Sequence, residues 1–212
     1  MNTPSQRYLY VPYGRLVVRV IMVVVVLLAC ITVLFILEQR RTQGEMGAIL
    51  SAFFSDQVLR DVQDRGAGRE IQIVLLREAQ NPWESDRLRR GLLFDRRSSF
   101  SQSSRTTRAS FFLSNAFPTN IQAELHLPSG VQSFFISRRE LEGTKPIDFQ
   151  TRFPNNSQYF VVSHAGLNLS KTEAILYVAH FCPGLCGGGA YFLMRKVNGV
   201  WSVVDRHVTC IS

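Results

Sequence analysis

The sequence predicts an α+β protein: an N-terminal transmembrane helix, then one domain with an antiparallel sheet, a C-terminal β-meander and a few packed helices. Three observations predict it. Residues 20–37 are apolar at every position except Thr32. Residues 45–62 carry Met46, Ile49, Leu50, Phe53, Phe54, Val58 and Leu59 at helical spacing, the pattern of a helix with one buried stripe. The last third alternates with the strand period and is interrupted by turn signals, of which Asn198-Gly199 is the strongest.

An 18-residue helix rises about 27 Å, close to the roughly 30 Å of a bilayer's hydrocarbon core. Extending the run back to Leu16, with Arg19 reaching toward the headgroups, makes the span comfortable. A cleaved signal peptide has a shorter apolar stretch and a small-residue cleavage site, whereas here Glu38-Gln39-Arg40-Arg41 follows. The domain plan is thus a short cytoplasmic tail (1–15), a signal anchor (16–37), a juxtamembrane linker (38–44) and an extracytoplasmic domain (45–212). Arg7, Arg15 and Arg19 before the span outnumber Arg40 and Arg41 after it, which favours an amino terminus inside and the domain outside.

The 212 residues include 24 basic and 16 acidic ones, a formal charge of +8. Three of the arginines belong to the membrane flank, so the domain itself is only mildly basic, and no nucleic-acid partner is expected. The densest basic stretch contains Arg87, Arg89, Arg90, Arg96 and Arg97. It is a candidate contact for anionic lipid or another polyanion, against the plainer reading of a solvated helix face and a serine-rich loop.

In chain order, the amphipathic helix ends at Gly66-Ala67-Gly68, and residues 71–76 read as a largely buried strand. Asn81, Pro82 and Glu84 then mark a helix start. Residues 111–115 read as a short helix. Residues 121–127 and 131–137 read as two strands joined by Pro128-Ser129-Gly130, and residues 145–156 as a connection lying over the core. In the last third, residues 159–163 and 174–181 are strands, with Leu176, Val178 and His180 on one face and Ile175, Tyr177, Ala179 and Phe181 on the other. The run Gly187-Gly188-Gly189 reads as a turn requiring positive φ, and Asn198-Gly199 returns the chain as a hairpin.

Chemistry concentrates at the turn from Cys182 to Gly189. Cys182 and Cys186 flank Pro183-Gly184-Leu185, a spacing compatible with a disulfide clasp. A redox motif would have two intervening residues and a helix start. His180, Cys182, Cys186, His207 and Cys210 form the alternative, a metal or thiol site of soft ligands. Asp205 and His207 share a strand face, yet no nucleophile motif accompanies them. No cofactor is expected.

The C-terminal motifs Ser163-His164-Ala165-Gly166-Leu167-Asn168, Ala174-Ile175-Leu176-Tyr177-Val178, the Cys/Gly-rich segment 182–189 and Asn198-Gly199-Val200-Trp201 resemble an uncharacterised family of bacterial secreted or membrane-anchored proteins. The resemblance departs at Ala165 and Leu167, where Val and Phe are expected. It implies export in a bacterium, hence an inner-membrane location, and carries no catalytic residue. The expected function is a membrane-anchored extracytoplasmic binding or envelope-associated module, non-catalytic, with an envelope protein or a second copy as partner. The alternative is an envelope thiol-redox or metal-dependent enzyme built on the Cys/His cluster.

Overall fold

The computed structural model describes residues 13–65, 71–79, 102–116, 119–121, 123–143, 146–154, 156, 158–182 and 187–211. Two compact units divide the chain, Met1–Leu37 and Glu38–Ser212. Helix α1 (Tyr13–Arg65) contributes to both.

In the first unit, α1 is long and apolar enough to cross a membrane, and none of its most apolar 18-residue window is buried. Its one polar interruption is satisfied within the helix, because the Thr32 hydroxyl donates to the Leu28 carbonyl at 2.8 Å. A spanning segment must satisfy its polar groups in this way, since lipid offers no partners.

The second unit is a mixed seven-stranded sheet with helices on both faces. Its strands are β1 (Ile71–Leu76), β2 (Val131–Ile136), β3 (Tyr159–Val162), β4 (Gly166–Leu167), β5 (Glu173–Phe181), β6 (Gly187–Val197) and β7 (Val200–Ile211). The order is β2-β1-β3-β5-β6-β7, with β4 paired to β5. Strands β3 to β7 form the expected antiparallel meander. The pairs β1–β2 and β1–β3 are parallel, a departure from the all-antiparallel expectation.

One sheet face is covered by the later part of α1. Met46, Ile49, Leu50, Phe53 and Phe54 meet Leu176, Val178, Phe192, Met194 and Trp201, with Phe53 edge-on to Phe192 at 4.7 Å. The other face has two smaller clusters. Phe111 of α2 (Arg105–Ser114) packs on Ile175, Tyr177, Tyr191 and Leu193, and Phe149 of α4 (Pro146–Arg152) packs with Phe153 on Val74, Leu76, Ile136 and Val161. Strand β5 is therefore buried on both faces, as its uninterrupted apolar run implies.

Several expectations are refined. Residues 38–44 form no separate linker, since α1 continues through them. Residues 123–128 form no strand, although Ile121, Ala123, Leu125 and Leu127 still face the core. That segment lies along α1 instead: a Cβ at Gly47 would come within 2.7 Å of the Glu124 carbonyl oxygen, and the His126 amide donates to Ser51 Oγ. Alternation thus reports a buried side but cannot tell a strand partner from a helix backbone.

The connection over the core contains α4. Before it, the short helix α3 (Arg138–Glu142) starts with a capping box, in which Ser137 and Glu140 satisfy each other's backbone N–H groups. The Ser-x-x-Glu spacing that encodes it is local, although sequence reasoning passed over it. The hairpin at Asn198-Gly199 is as expected, with φ of 51° and 82° at its two central residues.

Candidate functional site

The Cys/His cluster is the first place to look, and the sheet register separates its members. His180 lies on the α1 face with Leu176 and Val178. His207 pairs across β6–β7 with Tyr191, and Tyr191 packs on the α2 face. Side chains opposite each other in a ladder share a face, so His180 and His207 point to opposite sides of the sheet. Among the described residues, no group of three His, Cys, Asp or Glu side chains is placed to hold a metal. Asp205 and His207 do share a face, opposite Leu193 and Tyr191 respectively.

Cys182 follows β5 and is disulfide-bonded. Cys186, like Arg87, Arg89, Arg90, Arg96 and Arg97, lies outside the described residues, as does the predicted helix start at Asn81; for Cys210 the described feature is its backbone pairing with Gly189. Gly187-Gly188-Gly189 is strand rather than turn. At Gly189 the reason for glycine is space, because a Cβ there would come within 2.2 Å of the Tyr177 hydroxyl. Tyr177 and Tyr191 pack with their rings tilted by 55° in the buried α2 cluster, centroids 4.9 Å apart, and burial pushes the Tyr191 phenol well above its ordinary pKa.

Polar groups that sequence reasoning passed over form several clusters. In the first, where α1 enters the second unit, Arg41 donates to the Leu167 carbonyl at 2.8 Å, the Asn168 carbonyl at 2.9 Å and the Glu38 carboxylate. Glu38 also accepts from the Ser110 hydroxyl, while Gln39 donates to the Ser114 carbonyl at the end of α2. In the second, Glu45 accepts from Lys196 at 2.9 Å and from the Trp201 indole at 3.3 Å, with Lys171 at 4.0 Å. Burial alone would raise the Glu45 pKa, but these bonds and the charges of Lys196 and Lys171 outweigh it and hold the carboxyl below the usual range.

The third cluster is buried. Asn115 exchanges two hydrogen bonds with the backbone of His164, whose ring meets the Thr119 hydroxyl. Burial lowers the His164 pKa, which keeps the ring neutral. Glu173, also buried, accepts from the Ser104 amide and the Thr107 hydroxyl at the start of α2.

Each of these groups holds one element against another. Arg41 and Ser110 join α1, α2 and β4; Asn115 and His164 join α2 to the β3–β4 link; Glu173 joins β5 to α2. Their bonds run between elements of the fold and fix those elements against one another. The residues were hard to find in sequence because, apart from the local Glu38–Arg41 pair, their partners are 45 to 156 positions away. No known family, characterised protein or solved structure matches the chain.

Proposed function

We propose that the protein is a single-pass, membrane-anchored binding or assembly module, without catalysis, whose Glu38–Ser212 unit works outside the cytoplasm of a bacterium with the amino terminus inside. The observation that carries this reading is the apolar exposure of residues 17–37 in a helix whose later residues bury a stripe in an ordinary core. A helix with no polar face finds its favourable surroundings in lipid.

The disulfide at Cys182 supports an oxidising compartment. The spacing Cys182-Pro183-Gly184-Leu185-Cys186 supports the proposed clasp between the two cysteines. Membership of the uncharacterised bacterial family belongs to the same proposal. Two of its motif glycines have strong local reasons: Gly199 has positive φ, and a Cβ at Gly166 would come within 2.2 Å of the Phe111 backbone.

Protease added to spheroplasts tests the topology. Degradation of the Glu38–Ser212 unit with retention of an amino-terminal membrane fragment is expected, and a protected unit would reverse the orientation. Non-reducing peptide maps should join Cys182 to Cys186; a Cys182–Cys210 peptide would replace the clasp with a different bridge.

A further inference from the structure

We infer that the turn around Leu169 and the β6–β7 hairpin tip form a second, peripheral contact with the surface of the bilayer that α1 spans, and that this contact favours anionic headgroups. The inference rests on the reading of residues 17–37 as a membrane span.

Arg41 follows the last apolar residue of the span, Leu37, by four positions, so the chain cannot carry it more than about 14 Å away in any conformation. Arg41 holds the carbonyls of Leu167 and Asn168 directly. The loop they begin is therefore tied to the first polar turn after the span. Glu45 lies one helical turn further and holds Lys196, with Lys171 beside it, which brings the tip of the β6–β7 hairpin to the same end of the unit. The interfacial layer on each side of a bilayer is roughly 5 to 8 Å thick.

Leu169 is 79 % exposed, Val197 61 % and Val200 68 %, all three at or next to turns. Leu169 is not a loose side chain on a loose loop, since Asn168 Oδ1 accepts from the amides of Thr172 and Glu173 and Lys171 adopts φ 54°. The turn presents it in a fixed direction. Close to these apolar tips stand Arg41, Lys171, Arg195 and Lys196. The local carboxylates Glu38, Glu45 and Glu173 are fewer, and each is already occupied by one or more of these cations or by hydroxyl and amide donors. Apolar tips within a basic collar are the composition of an interfacial contact, in which buried side chains and attraction to anionic lipid act together.

The test uses the full chain reconstituted in vesicles of phosphatidylcholine alone or with about a third phosphatidylglycerol. Leu169→Trp supplies a reporter, read as the difference from the parent chain, with nitroxide-headgroup lipid and aqueous iodide as opposing quenchers. Lipid quenching should exceed iodide quenching, and should rise with phosphatidylglycerol. Adding Lys171→Glu and Arg195→Glu should remove that rise, with about a fivefold loss of surface-bound population per cation removed.

Iodide quenching that is unchanged by lipid composition, in a chain that resists alkaline extraction, overturns the surface contact and leaves the anchor standing. Release of the chain by alkaline carbonate overturns the anchor itself. Shielding of the reporter in native membranes but not in the lipid vesicles would assign the tips to a protein partner and defeat the lipid assignment.

Discussion

Along α1, residues 17–37 expose valine, isoleucine and leucine on every side, whereas Met46, Ile49, Leu50, Phe53 and Phe54 are all buried against the sheet. Backbone hydrogen bonding is of one kind throughout. What differs is the angular distribution of apolar groups: in the first stretch they surround the helix, and in the second they occupy a stripe beside Gly44, Gly47, Ser51 and Ser55. The helix itself is indifferent to its solvent, and the side-chain pattern selects lipid for one stretch and protein for the other. The small residues have their own use, since Gly47 lets the Glu124 segment lie directly on the helix.

The largest expected effect breaks the buried stretch. Phe53→Ala removes edge contacts with Phe54 at 5.0 Å and Phe192 at 4.7 Å and should lower stability by about 3–5 kcal/mol, read from urea unfolding of the Glu38–Ser212 unit in detergent. Membrane integration should not change.

The reciprocal substitution, Val25→Asp, should disfavour insertion by roughly 2.5–3.5 kcal/mol, measured as the fraction released by alkaline carbonate. The urea midpoint of the second unit should stay where it is. A shifted midpoint would show that the two stretches are not independent.

A smaller effect sharpens the role of close approach. Gly166→Ala drives a Cβ toward the Phe111 backbone, and overpacking of this kind costs about 1–3 kcal/mol. Leu167→Met, which preserves volume at a buried position, should cost less than Gly166→Ala in the same assay.

The smallest effect is electrostatic and confined to the protein-facing stretch. The Glu45 carboxyl has a folded-state pKa below its ordinary value, so the unfolded chain binds the proton more readily. Its contribution is present above pH 4.5 and is lost as pH falls through the depressed folded value. Glu45→Gln should flatten that acid limb in urea titrations between pH 6 and 3; an unchanged limb would assign it to other carboxylates.

Much of this fold is legible in local pattern. The span, the amphipathic stripe of α1, the two-sided burial of β5 and the hairpin at Asn198-Gly199 depend on residues a few positions apart, whose periods of 3.6 and 2 and whose need for positive φ are written side by side. The Ser137/Glu140 capping box is equally local. Partner choice is less legible: residues 121–127 alternate as a strand does, yet Glu124 and His126 lie against α1 rather than in a ladder. The Cys/His cluster shows the same gap, because only strand register reveals that His180 and His207 occupy opposite faces.

By itself the sequence determined the class of the protein: a membrane-length apolar helix followed by an α+β unit with a β-meander. Tertiary structure decided the rest. It chose parallel neighbours for β1, put Gly189 and Gly166 where other elements press on them, and gathered Arg41, Ser110 and Leu167 into one polar lock at the start of the second unit. The physical reason is range. Periodicity and turn preference act over a few residues, whereas strand order, close backbone contact and the pairing of Glu45 with Lys196, 151 positions away, follow from how distant surfaces fit.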